Sequence, residues 1–580
     1  MDFNYFNLIK KDIFNAARGE YPDVADDALF ARFSVEPPKD VSFGDVATNI
    51  AMILAGVLHA KPRDIAAKLA EVIKNLPDVA KVDVAGAGFI NITMKNAFWH
   101  AMLRTILQNG TAYGNSEIGG GRRVNIEFVS ANPTGPMHVG HSRGAVFGDA
   151  LASLMQKAGY DVSREYYIND AGAQVFKLAR SVYLRYKEAL GIAIGEIPEG
   201  CYPGDYLIPV GKAIAERDGK KWLDKPESEW LTYFKEFAVN SMMNLIRSDL
   251  ELLGIHFDTF FSENELQKSQ AVKKVVDLLD SKGLLYRGVL QPPKGKIVED
   301  YEPKEQLLFK STEFGDDIDR PLQKSDGTYT YFTPDIAYHL TKFKRGFTWM
   351  IDVFGADHGG YVKRLNAAVK AVTDGKAELD VKLCQMINFK DNGEPVKMSK
   401  RSGTFITLRD VVDEVGKDVT RFLILTRKND AHLDFDFTKV KETSKDNVVF
   451  YVQYAHARAC SVNRNAIAMF RDKIDIAAAD FGLLKDPDEI ALIKLLSTWP
   501  RVVESAALAT EPHRIAYFLN DVASAFHSLW NRGRDDAGMK FLIENNRLLS
   551  AARLALVNAV AVVIASGLEV FGVKPIEEMR

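Results

Sequence analysis

Between residues 124 and 168 the chain runs through an apolar strand pattern, the turn Asn132-Pro133-Thr134-Gly135-Pro136, a helical stretch over 138–158 and a second strand pattern over 162–168. Strand, helix and strand in that order imply a parallel sheet joined by crossover helices, so the centre of the protein is α/β. A chain of 580 residues has room for about four domains. Its 47% apolar and 26% charged residues match soluble globular averages and exclude disorder, collagen-like repeats and a disulfide scaffold. With 74 Lys+Arg against 77 Asp+Glu, the net charge is −3. Bulk positive charge therefore does not grip nucleic acid here, and any such surface is a local patch.

Cys201, Cys384 and Cys460 lie far apart and no pair has metal-ligand spacing, which predicts no structural metal and a reducing compartment. Lys10, Lys11 and Asp12 stand where a secretory signal would be apolar. The longest apolar run, residues 555–568, is interrupted by Asn558, Ser566 and Gly567 and reads as a buried helix, too short for a bilayer span. The expectation is a cytoplasmic protein with no membrane segment.

Residues 1–110 mix helical patterns (45–55 and 62–73) with strand alternation over 81–94, and the Gly/Asn/Thr-rich stretch 109–121 reads as a linker. From 180 to 263 the pattern is mostly helical. Residues 289–310, with Pro292, Pro293, Gly295 and Pro303, read as an inserted loop or small β excursion. After 438 the apolar spacing is helical almost throughout.

Two segments carry chemistry. Met137-His138-Val139-Gly140-His141 follows the Asn-Pro turn at a strand-to-helix junction. Unpaired N–H groups and the helix dipole favour an anion there, small glycines let a phosphate approach, and two imidazoles three positions apart can donate to phosphoryl oxygens. The same pair would also serve as a helix cap, or as metal ligands for which no third partner lies nearby. About 260 residues on, Pro395-Val396-Lys397-Met398-Ser399-Lys400-Arg401-Ser402-Gly403 precedes a helix starting near Leu408. Two lysines on a Gly-flanked loop suit a task of following charge on departing pyrophosphate; in isolation the same string reads as a solvated surface loop.

Together these segments resemble the HIGH and KMSKS motifs of class I aminoacyl-tRNA synthetases, with Val139 a mild variation. The strings 125–135 (NIEFVSANPTG), 165–172 (EYYINDAG), 331–339 (YFTPDIAYH) and 451–458 (YVQYAHAR) resemble the arginyl-tRNA synthetase family over essentially the whole chain. Val448 stands where that family's pattern has proline. The resemblance implies a Rossmann-like parallel-sheet catalytic domain over 120–400 with an insertion at about 185–325. It further implies an α+β N-terminal tRNA-binding domain over 1–110, a stem-contact region over 401–438 and an all-α anticodon-binding domain over 439–580.

Recognition of a guanidinium needs a buried carboxylate and neutral acceptors. Glu127, in a strand pattern, and Asp335, after a Thr-Pro turn, are candidates that could equally be surface or cap carboxylates. The resemblance assigns Asp335 and Tyr331 to the guanidinium, Glu127 to the amino-acid pocket and Asn132 to the α-amino end. It makes His138, His141, Lys397 and Lys400 catalytic, and puts Pro133, Gly135, Gly140, Met398 and Ser399 with them around ATP. Gly355, Asp357 and His358 end an apolar run at 349–354, where open α/β sheets bind ligands; contact with ATP and a simple strand-end turn both fit. Gly172, Gln174 and Arg143 are weaker candidates for lining the site.

Between 439 and 473 seven Lys/Arg face three acids, with Tyr451, Tyr454 and His456 interleaved. That pattern suits unpaired RNA bases or a helix with a solvated charged face. By resemblance Tyr451, Tyr454, His456 and Arg458 meet tRNA, with Arg532, Arg534 and Arg547 as further partners. The implied reaction is ATP-dependent formation of arginyl-AMP from L-arginine, with ATP carrying Mg2+. Transfer to the terminal 2′-hydroxyl of tRNA(Arg) follows, performed by a monomer, with activation requiring bound tRNA. The rival readings are another class I synthetase and a non-catalytic RNA-binding paralogue.

Overall fold

The computed structural model describes residues 3–290, 304–396, 406–444 and 446–579. The chain packs as two units: Gly121–Gln156 with Tyr160–Glu442, and Met1–Gly120 with Lys157–Gly159 and Thr443–Arg580.

The first of these is built on a five-stranded sheet. Its spatial order is Glu378–Cys384, Trp349–Gly355, Arg123–Glu127, Asp161–Ile168 and Thr259–Ser262, and every neighbouring pair is parallel. The chain starts in the middle strand, moves outward one way, then returns to continue on the other side. The order therefore reverses beside Arg123–Glu127, and a crevice opens at the C-terminal ends of that strand and Trp349–Gly355. The crossover helix Ser142–Lys157 buries Val146, Leu151, Leu154 and Met155, each worth roughly 1.5–3 kcal/mol of removal from water. Gly148 lets that helix meet the sheet, since a Cβ there would lie 2.3 Å from the Phe128 ring.

The stretch expected to be mostly helical holds Ala173–Ala189, Ile208–Asp218 and Glu227–Leu252 around Tyr186, Trp230 and Phe234. It ends in the edge strand Thr259–Ser262. Leu285–Gly288, Gln306–Phe309 and Arg320–Gln323 form a small antiparallel sheet; of the stretch 289–310, expected as an inserted loop or small β excursion, residues 291–303 lie outside the described residues and 306–309 are one of these strands.

In the other unit, Val35–Glu36, Val46–Thr48, Phe89–Met94 and Val79–Ala85 make an antiparallel sheet. Residues 45–55, expected as one helix, are instead the strand Val46–Thr48 and then the helix Ile50–Leu58. The Asp45 N–H bonds the Ile92 carbonyl and draws this segment onto the sheet. Helix Asn96–Asn109 packs on Pro487–Ser497 and Arg547–Val570. The last of these helices is long and apolar enough to cross a membrane by composition, but 67% of its most apolar window is buried inside the protein.

Candidate active site

The middle strand ends at Glu127, and the next turn is strained. Val129 (φ 69°) and Ser130 (φ 40°) both occupy left-handed backbone, a conformation that a β-branched residue adopts only where its surroundings impose it. Two bonds hold the turn: the Ser130 hydroxyl donates to Glu127 Oε1 at 2.9 Å and accepts the Tyr167 N–H at 3.0 Å. Tyr166 donates to the Ala131 carbonyl at 2.8 Å, and Tyr206 to that of Thr134 at 2.8 Å. Asn132 is exposed, Pro133 buried and Gly135 partly buried beneath Tyr206.

The helix expected from residue 138 begins as the 3-10 turn Val139–His141 and becomes α-helical at Ser142. His138 causes the delay by capping the turn, its Nδ1 accepting the Gly140 N–H at 3.1 Å. The two imidazoles stack with centroids 3.8 Å apart, and a Cβ on Gly140 would strike the His138 ring at 2.8 Å. The paired rings thus sit at the positive end of a helix, beside the crevice.

Lys397, Met398, Ser399 and Lys400 lie outside the described residues. So do residues 401–405; from Ile406 the described chain is tied to the histidine turn. Val139 N–H bonds the Ile406 carbonyl and Leu408 N–H bonds that of Met137, both at 3.1 Å. Thr407 and Asp410 form a capping box that starts helix Leu408–Val415. The buried Asp249 joins both sides, accepting from Met137 N–H at 3.1 Å and from Arg409 at 3.3 Å.

At the C-terminal ends of the strands, where Glu127, Asp170 and Glu263 lie, the crevice is strongly acidic. Asp335 opens the helix Phe332–Lys344 and receives a hydrogen bond from the Tyr361 hydroxyl. Burial pushes its carboxyl up to about 6 despite that bond. Glu263 accepts from Gln267 and Tyr167 and is likewise raised by burial, with Asp170 adding repulsion. Burial lifts the Tyr167 phenol well above its ordinary range, helped by Glu263, Asp335, Glu127 and Asp170. Four carboxylates around one phenol favour a cation with several donors.

Glu127, expected as either a buried pocket carboxylate or a surface acid, is buried in the floor of this pocket. Lys342 donates to its Oε2 and to Asp352 Oδ1, both at 2.8 Å. Burial raises Glu127, and Lys342 only partly offsets it. Burial would also raise Asp352, but Lys342 and His339 reverse this and hold it well below the carboxylate range. Tyr331, expected at the guanidinium, is 78% exposed at the N-cap of its helix, while the buried phenols beside Asp335 and Glu263 are those of Tyr361 and Tyr167. Arg143 is buried, and its Nη1 and Nη2 donate to the carbonyls of Gln385 and Lys428, so it ties the segments around those residues to its helix. Gly172 caps the helix Ala173–Ala189, which contains Gln174. Gly355, Asp357 and His358 are exposed where Trp349–Gly355 ends, at the edge of the crevice. Sequence reasoning missed Glu263, Tyr361 and the Lys342–Asp352 pair. Tyr167 and Asp170 stood in a quoted string without a role.

Comparison with known proteins gives this geometry its context. The family model for the class I (R) tRNA synthetase catalytic domain matches residues 102–194 and 231–461. Those for the arginyl tRNA synthetase N terminal domain and the DALR anticodon binding domain match 7–94 and 452–579. A curated arginine–tRNA ligase of Azorhizobium caulinodans is 58% identical over 572 residues, covering 97% of each chain. The chain belongs to the arginyl-tRNA synthetase family. One of Rhodospirillum rubrum is 56% identical, covering 95% of each. A solved arginyl tRNA synthetase structure from Campylobacter jejuni superposes with TM-score 0.73 at 32% identity, covering 84% of this chain and 100% of the other. That of Thermus thermophilus, at 19% identity, shares the fold with TM-score 0.71 over 99% of this chain and 100% of its own.

In this member of the arginyl-tRNA synthetase family the long helix Val448–Phe470 carries the residues expected to meet RNA. They divide between its faces. Tyr451, Tyr454 and Arg458 are partly exposed, with Arg458 stacked 4.3 Å from the Tyr454 ring and 4.5 Å from Trp530. His456 is 6% exposed and bonds the Ile576 carbonyl at 2.9 Å. It belongs to the packing, which corrects its expected place on an RNA surface. Arg532 pairs with Asp486 and Asp488, and Arg547 with Asp472, while Arg534 is exposed.

Proposed function

We propose that this chain is an arginine–tRNA ligase: it joins L-arginine to ATP as arginyl-AMP, releasing pyrophosphate, and transfers the arginyl group to the 2′-hydroxyl of the terminal adenosine of tRNA(Arg). The carrying observation is the pocket of Asp335, Glu263, Asp170 and Glu127 around Tyr167 at the C-terminal end of the sheet. A guanidinium stays charged at every working pH and presents five donors, which that pocket matches. An amino acid without this group would leave buried acceptors unmet, a discrimination worth up to about 10⁴-fold or more. No editing site is required.

His138 and His141 donate to phosphoryl oxygens as charge moves to the leaving pyrophosphate, aided by the helix N-terminus. Lys397 and Lys400 follow the same charge. Lys400→Ala should therefore lower kcat by roughly tenfold or more with little change in arginine KM. ATP arrives as its Mg2+ complex; among the described residues no group of three His, Cys, Asp or Glu is placed to hold a metal of its own. Gly355, Asp357 and His358 border the nucleotide, Asn132 takes the α-amino end, and Tyr451, Tyr454 and Arg458 touch the anticodon arm. The protein works as a cytoplasmic monomer that activates arginine only with tRNA bound. Charging of unfractionated tRNA with each labelled amino acid tests this: arginine alone should be attached. Attachment of a different amino acid would mean another class I specificity, and none would mean an RNA-binding paralogue.

A further inference from the structure

Asp352, Glu127 and Glu165 stand side by side on three neighbouring strands of the parallel sheet. All three are buried, and the helix Phe332–Lys344 with its C-cap Arg345 answers each of them. Lys342 bonds Asp352 and Glu127. Glu165 has partners of its own. Arg345 donates to both of its oxygens, at 2.7 and 2.8 Å, the Tyr338 hydroxyl donates at 2.7 Å and the Asn125 amide at 2.9 Å. Burial opposes the charge on Glu165, but the Arg345 bonds, Lys342 and the Tyr338 hydroxyl bring its carboxyl below the ordinary value. The adenylate chemistry makes no direct use of this fully buried carboxylate.

Two of its partners nevertheless lead to the arginine pocket. The Tyr338 ring lies 4.6 Å from that of Tyr167 and 4.8 Å from that of Phe261, so it backs the phenol around which the pocket acids gather. Tyr338 also stands about one turn after Asp335, and Arg345 follows it by about two more turns. Glu165 thus grips the helix at two places. The Arg345 fork fixes direction as well as distance, and the helix so held presents Asp335 from its first turn. We propose that Glu165 is a positioning residue for arginine specificity, which sets the place of Asp335 and of Tyr167 through Arg345 and Tyr338. This rests on the arginine reading above. A recognition group displaced by about 1 Å can cost about a hundredfold, so a brace one layer below the substrate acts on arginine without touching it.

Tyr338→Phe removes one hydroxyl and keeps both the ring and the Glu165–Arg345 fork. In tRNA charging its arginine KM should rise about tenfold, the scale of one hydrogen bond to a charged group, with ATP and tRNA KM unchanged. Arg345→Gln should raise arginine KM further, and Arg345→Lys, which keeps the charge without the fork, should recover part of that loss. Combined with Asp335→Asn, Tyr338→Phe should add much less than tenfold, because the carboxylate it positions is already gone. A lower Tm with unchanged arginine KM would make Glu165 an ordinary brace of the sheet and overturn the proposal. Arginine and ATP KM rising together, or a full tenfold effect in the Asp335→Asn background, would overturn it as well. If Arg345→Gln does not fold, Tyr338→Phe decides alone. Failure of the ligase reading is seen separately, as an unmodified chain that does not charge tRNA with arginine.

Discussion

Asp335 is where the pocket's chemistry is most sensitive to pH. Its folded-state value, raised by burial to about 6, lies above the ordinary aspartate value of about 3.9. Its contribution to the stability of the free protein is therefore fully present below the ordinary value and is lost as pH rises through about 6. Arginine needs the ionised form, so its affinity should fall about tenfold for each pH unit below that point. Calorimetric titration of arginine across this range, in the presence of tRNA, would detect it; flat affinity would contradict the placement of Asp335. Asp335→Asn should raise arginine KM by about a hundredfold while leaving ATP KM alone. In the sequence, Asp335 was legible from the string around it, but its supports were not. Lys342, in HLTKFK, reads like any basic residue in the last turn of a helix. Only the fold shows that it is wholly buried between Glu127 and Asp352.

The histidine turn and the segment 406–408 act as one element because backbone bonds join them and Asp249 clasps both. Asp249→Ala leaves the Met137 N–H without this acceptor in a buried place, at a cost of about 1–3 kcal/mol. Urea denaturation should show the lower midpoint, and kcat should fall with it; loss of stability at full kcat would separate this clasp from catalysis. The alternation and helical spacing of residues 124–168 were readable because strand and helix periods differ so plainly. The left-handed Val129 and Ser130 were not, since valine is among the residues least suited to that conformation. The helix start was misread for a related reason: His138 caps a 3-10 turn that precedes it, and a capping histidine leaves no periodic trace.

Across the molecule, the first 120 residues and the C-terminal helices pack as one unit, although the sequence reads as separate N- and C-terminal regions. Their contact is intimate. Glu504 accepts from Asn4 and Ser116, both at 2.7 Å, and Tyr113 donates to the Ser497 carbonyl at 3.1 Å. Gly114 (φ +101°) lies so close to the fully buried Trp499 that a Cβ would come within 2.3 Å of the indole nitrogen. Gly114→Ala should then cost about 2–3 kcal/mol through strain and overpacking, lowering Tm in a calorimetric scan; an unchanged Tm would mean that this junction is looser than described. Contacts separated by nearly 400 residues leave no local pattern, which is why the linker-like composition of 109–121 gave no hint of them. The most direct measurement on the whole protein is ATP–pyrophosphate exchange with each amino acid, with and without tRNA. Exchange with arginine alone, appearing only when tRNA is added, is the expected result. Exchange with a different amino acid would contradict the acidic pocket as an arginine site, and exchange with arginine in the absence of tRNA would contradict the coupling.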